Sequence, residues 1–228
     1  MAFVVPSVSH AADMAEYRVL GYSSDGSVFA FEQFGIQDGS GFPYSDVFFI
    51  DLEDDRWLPG SPIRVRFENE IAPLASARAQ ALQDASVLLA SNDISPEFRI
   101  LGATTPMEQG SQEDVLAFYP RPILNPIDPL HTLTINRLPM HSPRDCFGMV
   151  ETAGYELLLT VDSKGTQVLH RDSSIPGSRA CPQRYGIAAI FTPYDGAPGR
   201  AVALISVYQL GFEGLDRRFL AVPFDLPL

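Results

Sequence analysis

The residues from Gly21 to Gly60 constrain the fold most, because turn chemistry and strand chemistry alternate there too closely for a helix. Ser24-Asp25-Gly26-Ser27 forms a tight turn, since Gly accepts positive φ without steric cost and Asp bonds its own downstream backbone. Beyond it Val28, Ala30 and Glu32 point one way and Phe29, Phe31 and Gln33 the other, a strand with an aromatic face. Gly35, Asp38, Gly39, Ser40, Gly41 and Pro43 then fall within nine residues, more backbone freedom than a two-residue hairpin needs, so this connection is a shaped loop. Val47–Ile50 returns as a buried strand, and Asp51–Arg56 is an acidic turn ahead of Trp57-Leu58-Pro59-Gly60.

The same alternation continues. Ile63-Arg64-Val65-Arg66-Phe67 predicts a half-exposed strand with its arginines outward. One helix is expected over Ile71–Ala90, where Leu74, Ala77, Ala81, Leu82, Ala85, Leu88 and Leu89 recur at intervals of three and four to form a stripe that lies on a sheet. Pro120, Pro122, Pro126 and Pro129 exclude a central strand and mark an edge segment or a link. The second half is almost entirely β. Leu133 and Ile135 face inward, and Tyr155, Leu157, Leu159 and Val161 share a face. Asp162–Gly165 turns the chain back through Thr166, Val168 and His170, and further strands follow at Ile187–Phe191, Ala201–Tyr208 and Arg217–Val222. The expected fold is mainly β, all-β to α+β: an antiparallel sandwich or irregular barrel with one long amphipathic helix packed on a sheet, with a small β-propeller as the alternative. Residues 12–228 make a single domain, or two lobes (12–119 and 130–228) joined by the proline-rich link at 120–129.

Composition excludes several functions. With 46% hydrophobic and 19% charged residues the chain is globular rather than disordered. Its net charge of −12, with one lysine, Lys164, beside 15 arginines, argues against nucleic acid, whose phosphates demand clustered cations. No run approaches the roughly 18 apolar residues of a membrane span. At the start, apolar Ala2–Pro6 is followed by Ser9 and Ala11 in the minus-three and minus-one positions of a signal-peptidase site, so residues 1–11 read as the remnant of a signal peptide cleaved before Ala12. Cys146 and Cys181 are the only cysteines; an even pair in an exported chain predicts a disulfide. The competing reading, a catalytic thiol, would need His170 or His141 beside it.

Two resemblances bear on this. Tyr22-Ser-Ser-Asp-Gly-Ser-Val-Phe-Ala-Phe31 with Val47-Phe-Phe-Ile-Asp-Leu52 resembles one blade repeat of the propellers related to the periplasmic protein TolB. Phe31-Glu-Gln-Phe-Gly-Ile-Gln-Asp-Gly-Ser-Gly-Phe-Pro-Tyr-Ser45, the Ile71–Leu89 helix, His170-Arg-Asp-Ser-Ser-Ile-Pro-Gly-Ser-Arg-Ala-Cys-Pro182 and Gly211-Phe-Glu-Gly-Leu-Asp-Arg-Arg-Phe219 resemble a family of predicted secreted bacterial proteins of unknown function, over roughly Tyr17 to Val222. That resemblance implies an export route and no chemistry.

Candidate sites follow from residue types. Around the glycine-rich loop, Asp38, Ser40, Tyr44 and Asp46 present polar groups beside Phe34 and Phe42, a ligand-facing arrangement or a turn that caps itself. No Lys follows the glycines, so the loop is no P-loop. Arg179 and Arg217, near His170-Arg171-Asp172 and Glu213-Asp216-Arg218, offer an arginine clamp for an anion or pair with neighbouring acids. Asp51, Glu53, Asp54 and Asp55 lack the glycine and end residue of an EF-hand, and no metal or cofactor set is evident. The functional expectation is a periplasmic or secreted binding or interaction module of the bacterial envelope, its partner a small molecule or protein. The alternative is a hydrolase of an envelope sugar or ester using paired carboxylates drawn from Glu32, Asp38, Asp46 and Glu213. Intact mass of the protein from its native host, with and without reduction and alkylation, is expected to show a chain beginning at Ala12 with both thiols blocked until reduced. Retention of Met1 with two free thiols would refute the export reading.

Overall fold

A computed structural model describes residues 12–105, 113–121, 123–162, 164–194 and 199–227. The expected leader at 1–11, Pro122 of the proline-rich stretch and the Asp195-Gly196 turn lie outside the described residues. The chain opens with β1 (Glu16–Ser23), β2 (Val28–Ile36), β3 (Pro43–Asp51), β4 (Arg56–Trp57) and β5 (Ile63–Arg66), then α1 (Leu74–Asp84), α2 (Ser86–Ser91) and β6 (Ile94–Ser95). Next come β7 (Phe98–Ala103), β8 (Val115–Phe118), β9 (His131–Pro139), β10 (Ala153–Val161) and β11 (Gly165–Arg171). A 3-10 turn at Gly177–Arg179 leads into β12 (Pro182–Pro193), β13 (Arg200–Leu210) and β14 (Leu215–Asp225).

Among the described residues these strands form three antiparallel sheets. The first runs β4-β3-β2-β1-β6, with β5 also on β3; the central one runs β14-β13-β12-β7; the third runs β11-β10-β9-β8. Phe29, Phe31, Phe48 and Ile50 of the first sheet pack on Phe191, Val202, Leu204 and Phe219 of the central one. On the opposite face Ile187, Ala203, Ile205 and Val222 meet Leu133, Tyr155, Leu157 and Leu159 of the third sheet. The central sheet is therefore covered twice, which is why Ala201-Val202-Ala203-Leu204-Ile205 is buried residue after residue instead of alternating. The result is a stack of three β layers with the helices outside the first. None of the sheets closes into a barrel, and three sheets are fewer than the four blades a propeller requires. The topology also ties the halves of the chain together, because Phe98–Ala103 pairs with the distant β12, Ile100 opposite Phe191.

Local chemistry explains the turns. Asp25 Oδ1 accepts from Ser23 Oγ at 2.6 Å and from the Ser27 hydroxyl and N–H at 2.7 and 3.0 Å, bonds that hold its carboxyl at about 2. At Gly21 (φ 136°) β1 bulges, and an added Cβ would lie 1.7 Å from Ser95 O, so glycine is what lets β6 return against β1.

The helix departs from expectation at both ends. It starts at Leu74 rather than Ile71, because Pro73 takes an extended conformation at the N-cap and leaves Ile71 83% exposed. It also breaks at Ala85, although Ala85 N–H to Ala81 O and Leu89 N–H to Ala85 O carry the ladder across. Ala77, Ala81 and Ala85 are the buried residues of the expected stripe, and their small side chains bring α1 close to Ala30, Val47 and Phe49.

One polar link fixes α1 to its sheet. Glu32 is wholly buried and accepts Arg78 Nε and Nη2 at 2.9 and 2.8 Å and Ser45 Oγ at 2.9 Å, while the guanidinium lies 3.6 Å from the Phe34 ring centre. Removing the cation strands a buried carboxylate. Arg78→Ala is expected to lower unfolding free energy by about 3 kcal/mol in urea titration, and Glu32→Gln with Arg78→Met to recover much of that loss.

Candidate functional site

The central sheet has one edge that the outer sheets flank without covering. β14 pairs with β13 along its full length, Arg200 opposite Asp225 through Leu210 opposite Leu215. Its other edge is used only in part. Arg217 N–H donates to Asp13 O and Arg217 O accepts Ala15 N–H, a one-residue parallel bridge through Met14. Phe219 N–H donates to the side-chain Oε1 of Gln33 at 3.0 Å. Beyond that point Phe219–Val222 forms the floor of a cleft of about 500 Å³.

The first sheet supplies one wall, with Phe48, Trp57, Asp46 and Arg64; the other wall carries Tyr155, His170 and Arg179. Trp57 is 47% exposed, and the Arg64 guanidinium lies 5.9 Å from its ring centre. The cleft continues past Arg218 toward Tyr44 and Arg66.

Asp46, Arg218, His170 and Arg179 are each held by a second polar group. Gln33 bridges the floor and the wall, donating through Nε2 to Asp46 Oδ2 at 3.0 Å. Burial pushes the Asp46 carboxyl up, opposed by that bond and by Arg64 and Arg218. Arg218 pairs with Asp13 at 2.5 Å, and Tyr44 Oη donates to the other Asp13 oxygen at 2.7 Å. Burial raises Asp13 despite Arg218 and Tyr44, and raises the Tyr44 phenol against Arg218. Opposite them Asp172 accepts His170 Nε2 at 2.9 Å, Arg179 Nη1 at 2.6 Å and the Tyr155 N–H at 2.9 Å. Burial acts to raise Asp172, but these bonds together outweigh it and hold the carboxyl below its usual range. The His170 ring stacks on Tyr155 at 4.7 Å, and Tyr155 is wholly buried with no partner for its hydroxyl among the described residues.

Cys146 and Cys181 form a disulfide with 5.9 Å between Cα atoms. It ties the segment bearing Arg179 to the loop after β9, helped by Ser142 Oγ to Ala180 O and Arg144 Nε to Gly177 O. A free catalytic thiol is thereby ruled out at both positions.

Of the residues singled out in the sequence, Tyr44, Asp46 and Arg179 line the cleft. Asp38 instead accepts the Glu213 N–H at 3.0 Å, tethering its loop to the segment ahead of β14, and Ser40 Oγ donates to Gln37 Oε1 at 3.1 Å within its own loop. Arg217 is buried, donating through Nε to Ala15 O at 3.0 Å. Glu32 lies under α1, and Asp51 caps the N–H groups of Glu53 and Asp54. Among the described residues no group of three or more His, Cys, Asp or Glu is placed to hold a metal. Arg218, named with Arg217 in the candidate arginine cluster, also lines the cleft, whereas Gln33, Trp57 and Arg64 were not singled out. Trp57, the sole tryptophan beside an acidic turn, and Arg64, outward on a strict alternation, carried a signal; Gln33 carried none.

Residues 30–224 match the profile of a family described as predicted secreted protein (DUF2259). The chain belongs to this family. The DUF2259 match spans both cleft walls and the floor, from Gln33 to Val222, and as a predicted secreted protein this family member is secreted or periplasmic. A comparison with curated proteins found no match. Among the described residues no helix is long and apolar enough to cross a membrane.

The Asp172 cluster makes a pH prediction for this DUF2259 protein. A carboxyl lowered on folding adds stability above its unfolded pKa, near 4, and loses it as pH falls through the folded value. Asp172→Asn is expected to cost about 2 kcal/mol at pH 7, and urea titrations at pH 7, 5 and 3 should show the gap to the parent protein closing only below about pH 4.

Proposed function

We propose that this is an exported binding module whose ligand occupies the cleft beside β14. The observation that supports the reading most is the preorganised wall: Arg179 held by Asp172, Arg218 by Asp13 and Asp46 by Gln33, with Trp57 and Arg64 exposed at the rim. Fixing long side chains before the ligand arrives lowers the ordering cost of binding. Arg179 and Arg218 are paired with Asp172 and Asp13, so Arg64, exposed and without a carboxylate at salt-bridge distance among the described residues, is the cation that favours a ligand bearing negative charge. Tyr155 adds a buried hydroxyl that an incoming polar group would satisfy.

The hydrolase alternative retains one point in its favour: burial raises two carboxyls in the cleft, Asp46 and Asp55. Glu32 and Asp38 are committed elsewhere and Glu213 does not line the cavity, so the second carboxylate would have to be Asp55. Loss of turnover in Asp46→Asn and Asp55→Asn on an envelope sugar or ester would favour it.

Because Trp57 is the only tryptophan, its emission reports cleft occupancy directly. Titration with solubilised envelope fractions is expected to give a saturable change in emission, weakened at least tenfold in Arg64→Ala and in Arg179→Ala. No saturable change with any fraction would overturn the binding reading.

A further inference from the structure

We infer that the ligand is an extended, carboxylate-bearing peptide that adds a strand to the free edge of β14, an assignment that rests on the cleft reading above. In an antiparallel pair, successive residues turn their backbone groups alternately toward and away from the partner strand. Arg217 and Phe219 point theirs away from β13, as their bonds to Asp13, Ala15 and Gln33 show. By the same register Ala221 and Pro223 point outward too.

The outer edge of β14 is thus a ladder used halfway. Main chain fills the Arg217 rung, and a side-chain amide stands in for a peptide carbonyl at Phe219 N–H. The next groups, Phe219 C=O, Ala221 N–H and Ala221 C=O, have no protein partner among the described residues. Pro223 then ends the ladder, because it has no N–H to offer. Those open groups span about 7 Å from Phe219 to Ala221 at roughly 3.3 Å per residue, room to pair a short extended segment. Pairing along such an edge supplies affinity through main-chain bonds and specificity through alternate side chains.

Side chains of an added strand would alternate between the two faces of the central sheet, toward Trp57 and Phe48 on one side and Tyr155 and His170 on the other. Arg64 pairs with no carboxylate at salt-bridge distance among the described residues and stands beside Trp57, so the first wall suits an acidic side chain or a chain-terminal carboxylate. The edge also lies between two flanking sheets. That placement admits one extended chain and hinders the edge-to-edge pairing of two whole sheets that open edges invite.

The test uses the full disulfide-bonded protein and a phage library of random seven-residue peptides, with enriched sequences synthesised and titrated against Trp57 emission. Support is enrichment of acidic sequences whose single N-methylations abolish binding at every second position, with at least tenfold weakening in Arg64→Ala and in Ala221→Pro. The N-methyl scan acts on the peptide, so it decides the matter even where Ala221→Pro fails to fold. Binding that is indifferent to N-methylation, or insensitive to Arg64→Ala, overturns the strand-addition assignment. Failure of all peptides while glycan fragments of peptidoglycan shift Trp57 emission overturns the peptide and leaves the cleft reading standing. Silence of Trp57 to both overturns the two together.

Discussion

The central sheet is apolar on both faces, and the rest of the architecture answers that constraint. Neither face of β12 and β13 can meet water, so a sheet is needed on each side, and a third layer then follows without reference to function. A sheet covered on both faces still has edges. At one of them β7 lies against β12, drawing the first half of the chain across the second. At the other, among the described residues, β14 has the short Asp13–Ala15 segment and Gln33 alongside, and the flanking sheets extend past it as walls. The cleft is a consequence of layering: wherever a middle sheet ends short of its neighbours, a groove with a backbone floor remains.

What distinguishes this groove from a packing defect is the polar support behind it. A defect would be lined by apolar atoms or by exposed groups with freedom to turn. Here Asp172 takes three donors, and Gln33 uses both ends of its amide, one on the floor and one on Asp46. The disulfide at Cys181 lies two residues from Arg179, and closing a loop of this length adds roughly 3–4 kcal/mol to stability in the chain-entropy model. It also keeps the Arg179 segment from leaving its wall.

Much of the fold was legible because it is written locally. The Ser23–Ser27 turn, the Tyr155–His170 hairpin and the alternation of Arg64 and Arg66 each follow from a few adjacent residues. The unbroken apolar run at Ala201–Ile205 already carried the two-sided burial, yet nothing in it says which sheets do the covering. Layer order depends on pairings such as Ala103 with Ala189, whose partners lie far apart in the chain and show no complementary pattern. The site was half legible for the same reason. Tyr44, Asp46 and Arg179 stood out as polar groups in unusual loops and strands. Asp38, Ser40 and Arg217 stood out equally, yet Ser40 bonds its own loop while Asp38 and Arg217 bond backbone far away in the chain, because residue type cannot separate a group that ties the scaffold together from one that faces a cleft.

Gln33 shows the limit most clearly. On the sequence it is one polar residue in an aromatic strand, and strand alternation merely places it beside Phe31 and Phe29. In the structure its carbonyl occupies a position where a neighbouring strand would place a peptide group, so a side chain closes one rung of a ladder that main chain closes one rung earlier. An edge terminated by a side chain is more easily reopened than one terminated by main chain, since a rotamer change costs far less than moving a strand. The cleft floor can therefore lengthen by one donor, Phe219 N–H, without disturbing the sheet, provided Asp46 finds another donor when Gln33 turns. Arg218, which already acts on Asp46, is the group that would take over, leaving Arg64 to the ligand.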